Sequence, residues 1–356
     1  MSRFQLFGFI LQTQIGIGLL AFPYELHNAS GVDGWISLLL AGGIIQLLLL
    51  AYIALCGRFP NRNLFEFAPL LLGKWFGNLV TILYVVHFAL TSCFILLLEM
   101  VLIQRWILPY SNLWLIMVAN GVILIYFAKE NIRIIARYHT MISFILISMM
   151  ALLFIGLDNL DYRYMLPIGE QGWQALIAGI KLSIFSFLGF ELFLVVSSDV
   201  KTSGKSLIAP MLWANGVAYF IYLIVVLICF LNFSPEAISH VPEPVPFYLN
   251  GISLPFVERL DLIFLSIWLV KVTASLTSYV YATGKGVGYL FHRNKHQKAI
   301  YYVVPLICLS GLFYKSESGI EYLTKLIKME CYVVLGLPVV LLLLAWLTGR
   351  REEQPA

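Results

Sequence analysis

Residues 34–57 carry no charged side chain, and neither do residues 207–231. A helix rises about 1.5 Å per residue, so roughly 20 apolar residues cross the ~30 Å hydrocarbon core of a bilayer. Within lipid, backbone N–H and C=O groups must pair inside the protein, which limits spanning segments to helices or closed barrels. Runs this long without apolar–polar alternation are helices. They recur at 4–23, 34–57, 76–106, 112–128, 134–157, 172–197, 207–231, 257–282, 299–315 and 328–348. The sequence therefore predicts an all-α polytopic membrane protein with ten transmembrane helices. A composition of 60% hydrophobic and 12% charged residues excludes a soluble multidomain chain. No small-residue cleavage site closes the first run, which reads as a retained span. The five cysteines are scattered through the apolar runs, without metal or disulfide spacing.

The net charge of +4 says nothing about nucleic acid; what counts is how the basic residues divide between the two sides of the membrane. With the N-terminus inside, fifteen of the 23 Lys and Arg fall on the cytoplasmic side, among them Arg58, Arg62, Lys129, Arg133 and Arg137. Six fall outside: Arg105, Arg163, Arg259, Lys315, Lys325 and Lys328. An even number of spans then puts both termini in the cytoplasm. The expected organisation is one transmembrane domain, with spans one to five in 1–157, six to ten in 172–348, and a cytoplasmic tail at 349–356. The longest connection, 232–256, is proline-rich and is expected to form an ordered cap over one face.

Two basic residues remain inside spans. Lys181 is close enough to an interface for its stem to snorkel outward. Lys271 lies near the middle of span eight, on a stripe of Phe264, Trp268, Lys271, Ser275 and Ser278 at helical spacing. A charge at that depth costs about 3 kcal/mol on insertion scales unless it is paired or in water. Glu191, mid-span in SIFSFLGFE (183–191), is the expected partner, in either a structural or a functional pair. Span three adds Tyr84, His87 and Thr91 on one face, where His87 reads equally as a core histidine.

Span one also carries QTQIGIGLLAFP (12–23), and span six carries glycine and serines before Glu191. Each is the first helix of a five-span half, and because five is odd the two halves must be inverted with respect to each other. Paired breaks in inverted repeats mark a transporter-type site, where unwound backbone meets a ligand. A glycine can instead serve close helix packing. Pro23 reads as the end of span one.

With these features the chain resembles the five-plus-five, LeuT/APC-like core of the amino acid–polyamine–organocation superfamily. More closely, it resembles the GerAB-type subunit of bacterial spore germinant receptors. The residues that carry the resemblance are QTQIGIGLLAFP, GFELFLVV (189–196) and FVERLDLIFLSIWLVKVTASL (256–276). It implies a permease-like nutrient sensor in the spore inner membrane, working with two other receptor subunits, one partly membrane-embedded and one a lipoprotein. An amino acid or similar nutrient would bind where helices one and six unwind. Carried over by position, the site comprises Gln14, Ile15, Gly16, Ile17 and Gly18 at the first break and Ser186, Phe187, Gly189 and Glu191 at the second. Tyr84, His87, Lys271 and Ser275 close it.

The alternative is a stand-alone proton- or sodium-coupled amino acid transporter with the same pocket. An enzyme is not expected. The close acidic pair of DNLD (158–161) reads as a loop turn, and GKGVG (284–288) follows a helix rather than a strand. No cofactor or metal is called for.

Overall fold

The computed structural model describes residues 1–352 except 158–159, 202–203, 253–254, 256, 292–294 and 314–316. Lys315, Arg293, Phe256 and the first half of DNLD therefore lie outside the described residues. Each of the ten apolar runs is occupied by helix: α1 (Arg3–Gln14) with α2 (Phe22–Ser30), α3 (Gly34–Arg58), α4 (Leu64–Leu102), α5 (Leu113–Ala128), α6 (Ile132–Leu152), α7 (Gly172–Ser186) with α8 (Phe193–Val196), α9 (Ile208–Asn232), α12 (Leu260–Phe291), α13 (His296–Cys308) and α14 (Glu317–Leu347). Two short helices, α10 (Pro235–Ile238) and α11 (Pro244–Asn250), occupy the long connection. Among the described residues six helices are long and apolar enough by themselves to cross a membrane, and the bent pair after Gly172 makes a seventh.

Local chemistry sets the helix starts. Ser2 with Gln5 and Asn63 with Glu66 form capping boxes, each meeting two backbone N–H groups that the first turn leaves unpaired. Gly73 has φ of 78°, a left-handed turn that splits α4 into a short arm and a long span. Several helices exceed their expected limits: α2 reaches Ser30 and α4 starts at Leu64. α12 continues to Phe291, and α14 begins at Glu317, so Lys325 and Lys328 are helical rather than loop charges.

The core lies where α12 packs on α4 and α13, and where α1 packs on α6 and α9. Trp268, Tyr52, Tyr84, Tyr222 and Tyr279 are its largest buried side chains. On α3, Leu38, Ala41, Ile45 and Leu49 point inward while Leu39, Leu40, Ile44 and Leu47 are exposed. A helix apolar on both faces has lipid as its outer solvent. The connection after α9 packs as a cap: Tyr248 donates to Leu153 O at 3.0 Å, and Glu243 accepts from Arg105 and from Trp106 Nε1 at 2.6 and 2.7 Å.

Candidate functional site

The last helical turn of α1 closes with Ile15 N–H on Leu11 O at 3.2 Å. Gly16 is then extended, with φ −85° and ψ 179°, and Ile17–Leu20 form one 3-10 turn before α2. Pro23 does not end the span; it sits in the first turn of α2, where its missing N–H has no intrahelical partner to lose. The second break follows Ser186 and bends the chain by 47°. Gly189 there has φ of 132°, and a Cβ would lie 2.5 Å from Thr13 C and O and 2.7 Å from Gln14 N. Glycine at 189 therefore lets the two breaks touch.

The contact is specific. Thr13 Oγ1 lies 3.2 Å from Gly189 O. The Tyr222 hydroxyl of α9 reaches Gln14 O at 3.2 Å and Ser186 O at 2.9 Å, so one donor serves two carbonyls that the breaks release. Gln14 Nε2 donates to Asn215 Oδ1 at 2.7 Å, and Phe187 packs on Tyr222 with ring centres 4.7 Å apart.

Beside the breaks lies a cavity of about 280 Å³. Of the residues expected from sequence, Gly16, Ile17, Gly18 and Ser186 line it. Thr13, Thr91 and Tyr279 complete its polar floor, Leu188, Phe94, Ile95, Leu98, Phe185 and Ile327 give apolar walls, and Glu25 and Lys328 add opposite charges. Gln14, Ile15, Phe187 and Gly189 support the breaks from behind. Tyr84 is turned away, its hydroxyl donating to Val334 O at 2.7 Å.

The Lys271–Glu191 pair does not form. Lys271 Nζ lies 3.3 Å from Ser275 Oγ and 5.3 Å from the Trp268 ring centre, and Ser275 in turn donates to Gln12 O at 2.7 Å. Among the described residues no carboxylate is within ion-pair reach of it. Glu191 instead accepts from Gly189 N–H at 2.7 Å and from the Tyr279 hydroxyl at 2.8 Å, with His87 Nε2 at 3.7 Å. His87 Nδ1 is 3.0 Å from Glu330 Oε1. Lys271 and Glu191 face different neighbours, Ser275 and the end of α1 for the lysine, Tyr279 of α12 and His87 of α4 for the glutamate. Sequence reasoning missed Tyr222, Tyr279, Glu330, Glu25 and Lys328. Glu330 carried a signal, as a carboxylate inside an apolar run, and Tyr279 extends the Lys271–Ser275 stripe by one turn.

A family model described as spore germination protein matches residues 1–320. The chain belongs to the spore germination protein family. Relatives include spore germination protein YndE of Bacillus subtilis (strain 168), 23% identical over 97% of this chain and 96% of that one. GerQB of Bacillus cereus is 24% identical over 86% and 84%, and GerLB of the same organism 25% over 93% and 91%. The fold is that of LeuT-type transporters. Mhp1, a nucleobase-cation-symport-1 family transporter solved with bromovinylhydantoin, superposes with TM-score 0.69 at 13% identity, covering 95% of this chain and 77% of that one. MhsT in complex with L-phenylalanine gives 0.71 at 15%, covering 97% and 88%. This member of the germination family is thus a membrane protein of permease type, with transporters rather than enzymes as its structural neighbours.

Proposed function

We propose that this chain is the nutrient-sensing, permease-like subunit of a spore germination receptor, and that it binds a small amino acid-like germinant between the two helix breaks. One observation carries the proposal: a cavity of about 280 Å³ is walled jointly by residues of both breaks, Gly16, Ile17 and Gly18 from one and Ser186 and Leu188 from the other. Backbone that leaves the regular helical pattern, beside mixed polar and apolar walls, suits a ligand with a charged head and an apolar body. The likeness to MhsT, which was solved with L-phenylalanine, supports an amino acid as ligand. The ten helical runs form ten spans in two inverted five-span halves, and the bias of Lys and Arg puts both termini in the cytoplasm. The membrane is the spore inner membrane, and the partners are the two other receptor subunits, one membrane-embedded and one a lipoprotein.

A ligand changes the state of such a protein only if it binds one conformation better than another. Thermal-shift measurements on the purified protein against a nutrient panel test the reading, because a ligand of the folded state raises Tm. No shift with any amino acid counts against it. The transporter neighbours favour a second reading, ion-coupled amino acid transport by the chain alone. Gradient-driven accumulation of radiolabelled amino acid in proteoliposomes establishes that reading and removes the pure sensor.

A further inference from the structure

Three titratable side chains behind the cavity wall meet inside the helical bundle. His87 of α4 stands between two carboxylates, with Glu330 Oε1 of α14 at 3.0 Å from Nδ1 and Glu191 Oε1 of the second break at 3.7 Å from Nε2. The side chains of His87 and Glu191 are fully buried and that of Glu330 is 13% exposed. An imidazolium between two carboxylates has a net charge of −1, and an uncompensated charge in a low-dielectric interior is costly.

Among the described residues no neighbouring element supplies the missing positive charge. The titratable groups that face the cluster are Tyr52 and Cys56 of α3, Tyr84 of α4, Tyr279 of α12 and Cys331 of α14, none of them a cation. Lys328, two residues from Glu330, extends instead over the Phe185 ring at 5.3 Å and lines the cavity with Glu25. The three side chains are not disposed as metal ligands either: among the described residues no group of three His, Cys, Asp or Glu is placed to hold a metal ion. One further proton neutralises the cluster. Both Glu191 oxygens accept hydrogen bonds, from Gly189 N–H and the Tyr279 hydroxyl, so both are already engaged by donors. Glu330 meets His87 alone among the described side chains, and it is the one member of the three that is not fully buried.

We infer that Glu191, His87 and Glu330 form a proton-binding site in which Glu330 exchanges one proton with water and switches the cluster between net charge −1 and zero. Its position connects it to the candidate ligand site. Glu191 holds the Gly189 N–H at the second break, and Tyr279, bonded to Glu191, lines the cavity. A change of charge at α14 thus alters the pull on His87, and through Glu191 the anchoring of the break.

The test uses the full chain reconstituted in lipid nanodiscs. A hydrophobic carbodiimide adds to a protonated carboxyl in apolar surroundings, the acid proton passing to the carbodiimide nitrogen, and leaves a stable N-acylurea that peptide mass mapping locates. From about pH 5 to about pH 8, labelling at Glu330 should fall severalfold, while Glu191 stays unlabelled and His87→Gln moves the midpoint. Glu330 that stays unlabelled, or is labelled equally at every pH, overturns the inference. Labelling suppressed by sodium but not by potassium overturns it in favour of a metal cation. Infrared spectra give a second readout: a titrating carboxyl band lost in Glu330→Gln and kept in Glu99→Gln, a buried carboxyl outside the cluster. A band unchanged in Glu330→Gln refutes the assignment. Neither measurement involves a nutrient, so failure of the proton site and failure of ligand binding are seen separately.

Discussion

Gly189→Ala perturbs the point where the two breaks meet. The residue sits at φ 132°, which an L side chain rarely adopts, and forcing it there costs about 1–3 kcal/mol. Its new Cβ lies 2.5 Å from Thr13 C and O, backbone atoms held by α1, so the clash cannot be relieved by a side-chain rotation. Overpacking of that kind adds about 1–3 kcal/mol. The sum is roughly 2–6 kcal/mol, which at roughly 2 °C per kcal/mol for a long chain lowers Tm by about 4–12 °C. The assay is thermal unfolding of the purified variant in detergent, followed by tryptophan fluorescence. Gly18→Ala is the control, since a Cβ there meets nothing within 4 Å. An unchanged Tm in Gly189→Ala, or an equal fall in both variants, refutes the claim that glycine at 189 is required by the contact between the breaks.

Gly16→Leu should leave Tm near wild type, because Gly16 is in an extended conformation open to any residue, yet abolish ligand-induced thermal shifts by filling the cavity; a retained shift places the ligand elsewhere. Tyr222→Phe removes the hydroxyl shared by Gln14 O and Ser186 O and should cost about 1–3 kcal/mol, read as a lower Tm. Full stability in that variant shows that the carbonyls do not depend on it. Lys271→Met deletes a buried cation with no ionic partner among the described residues, so stability should hold or rise by up to about 3 kcal/mol. A marked loss reveals a carboxylate partner, and the exchange of Lys271 with Glu191 should rescue nothing.

The apolar runs and both helix breaks were legible in the sequence because their physics is local. Hydrophobic length against bilayer thickness needs no knowledge of neighbours, and a glycine–polar interruption is visible within a few residues. The break near Gly16 was legible, but the reason for it differed. No left-handed backbone is used there, and the glycine keeps side-chain volume out of the cavity. At 189 the same residue type serves conformation and close approach together.

Partner choice was not legible. Lys271 and Glu191 are two opposite charges at similar depth, and hydropathy alone pairs them. A residue advances about 100° around its helix, so whether two mid-span side chains meet depends on the rotation and tilt of both helices. Packing turns Lys271 toward Ser275 and the end of α1, and turns Glu191 toward Tyr279, His87 and, beyond it, Glu330. The sequence by itself determined that this chain lies in a membrane as helices broken twice. Only the tertiary structure decided which buried charges face each other, because that choice rests on interhelical geometry carried by contacts far apart in the chain.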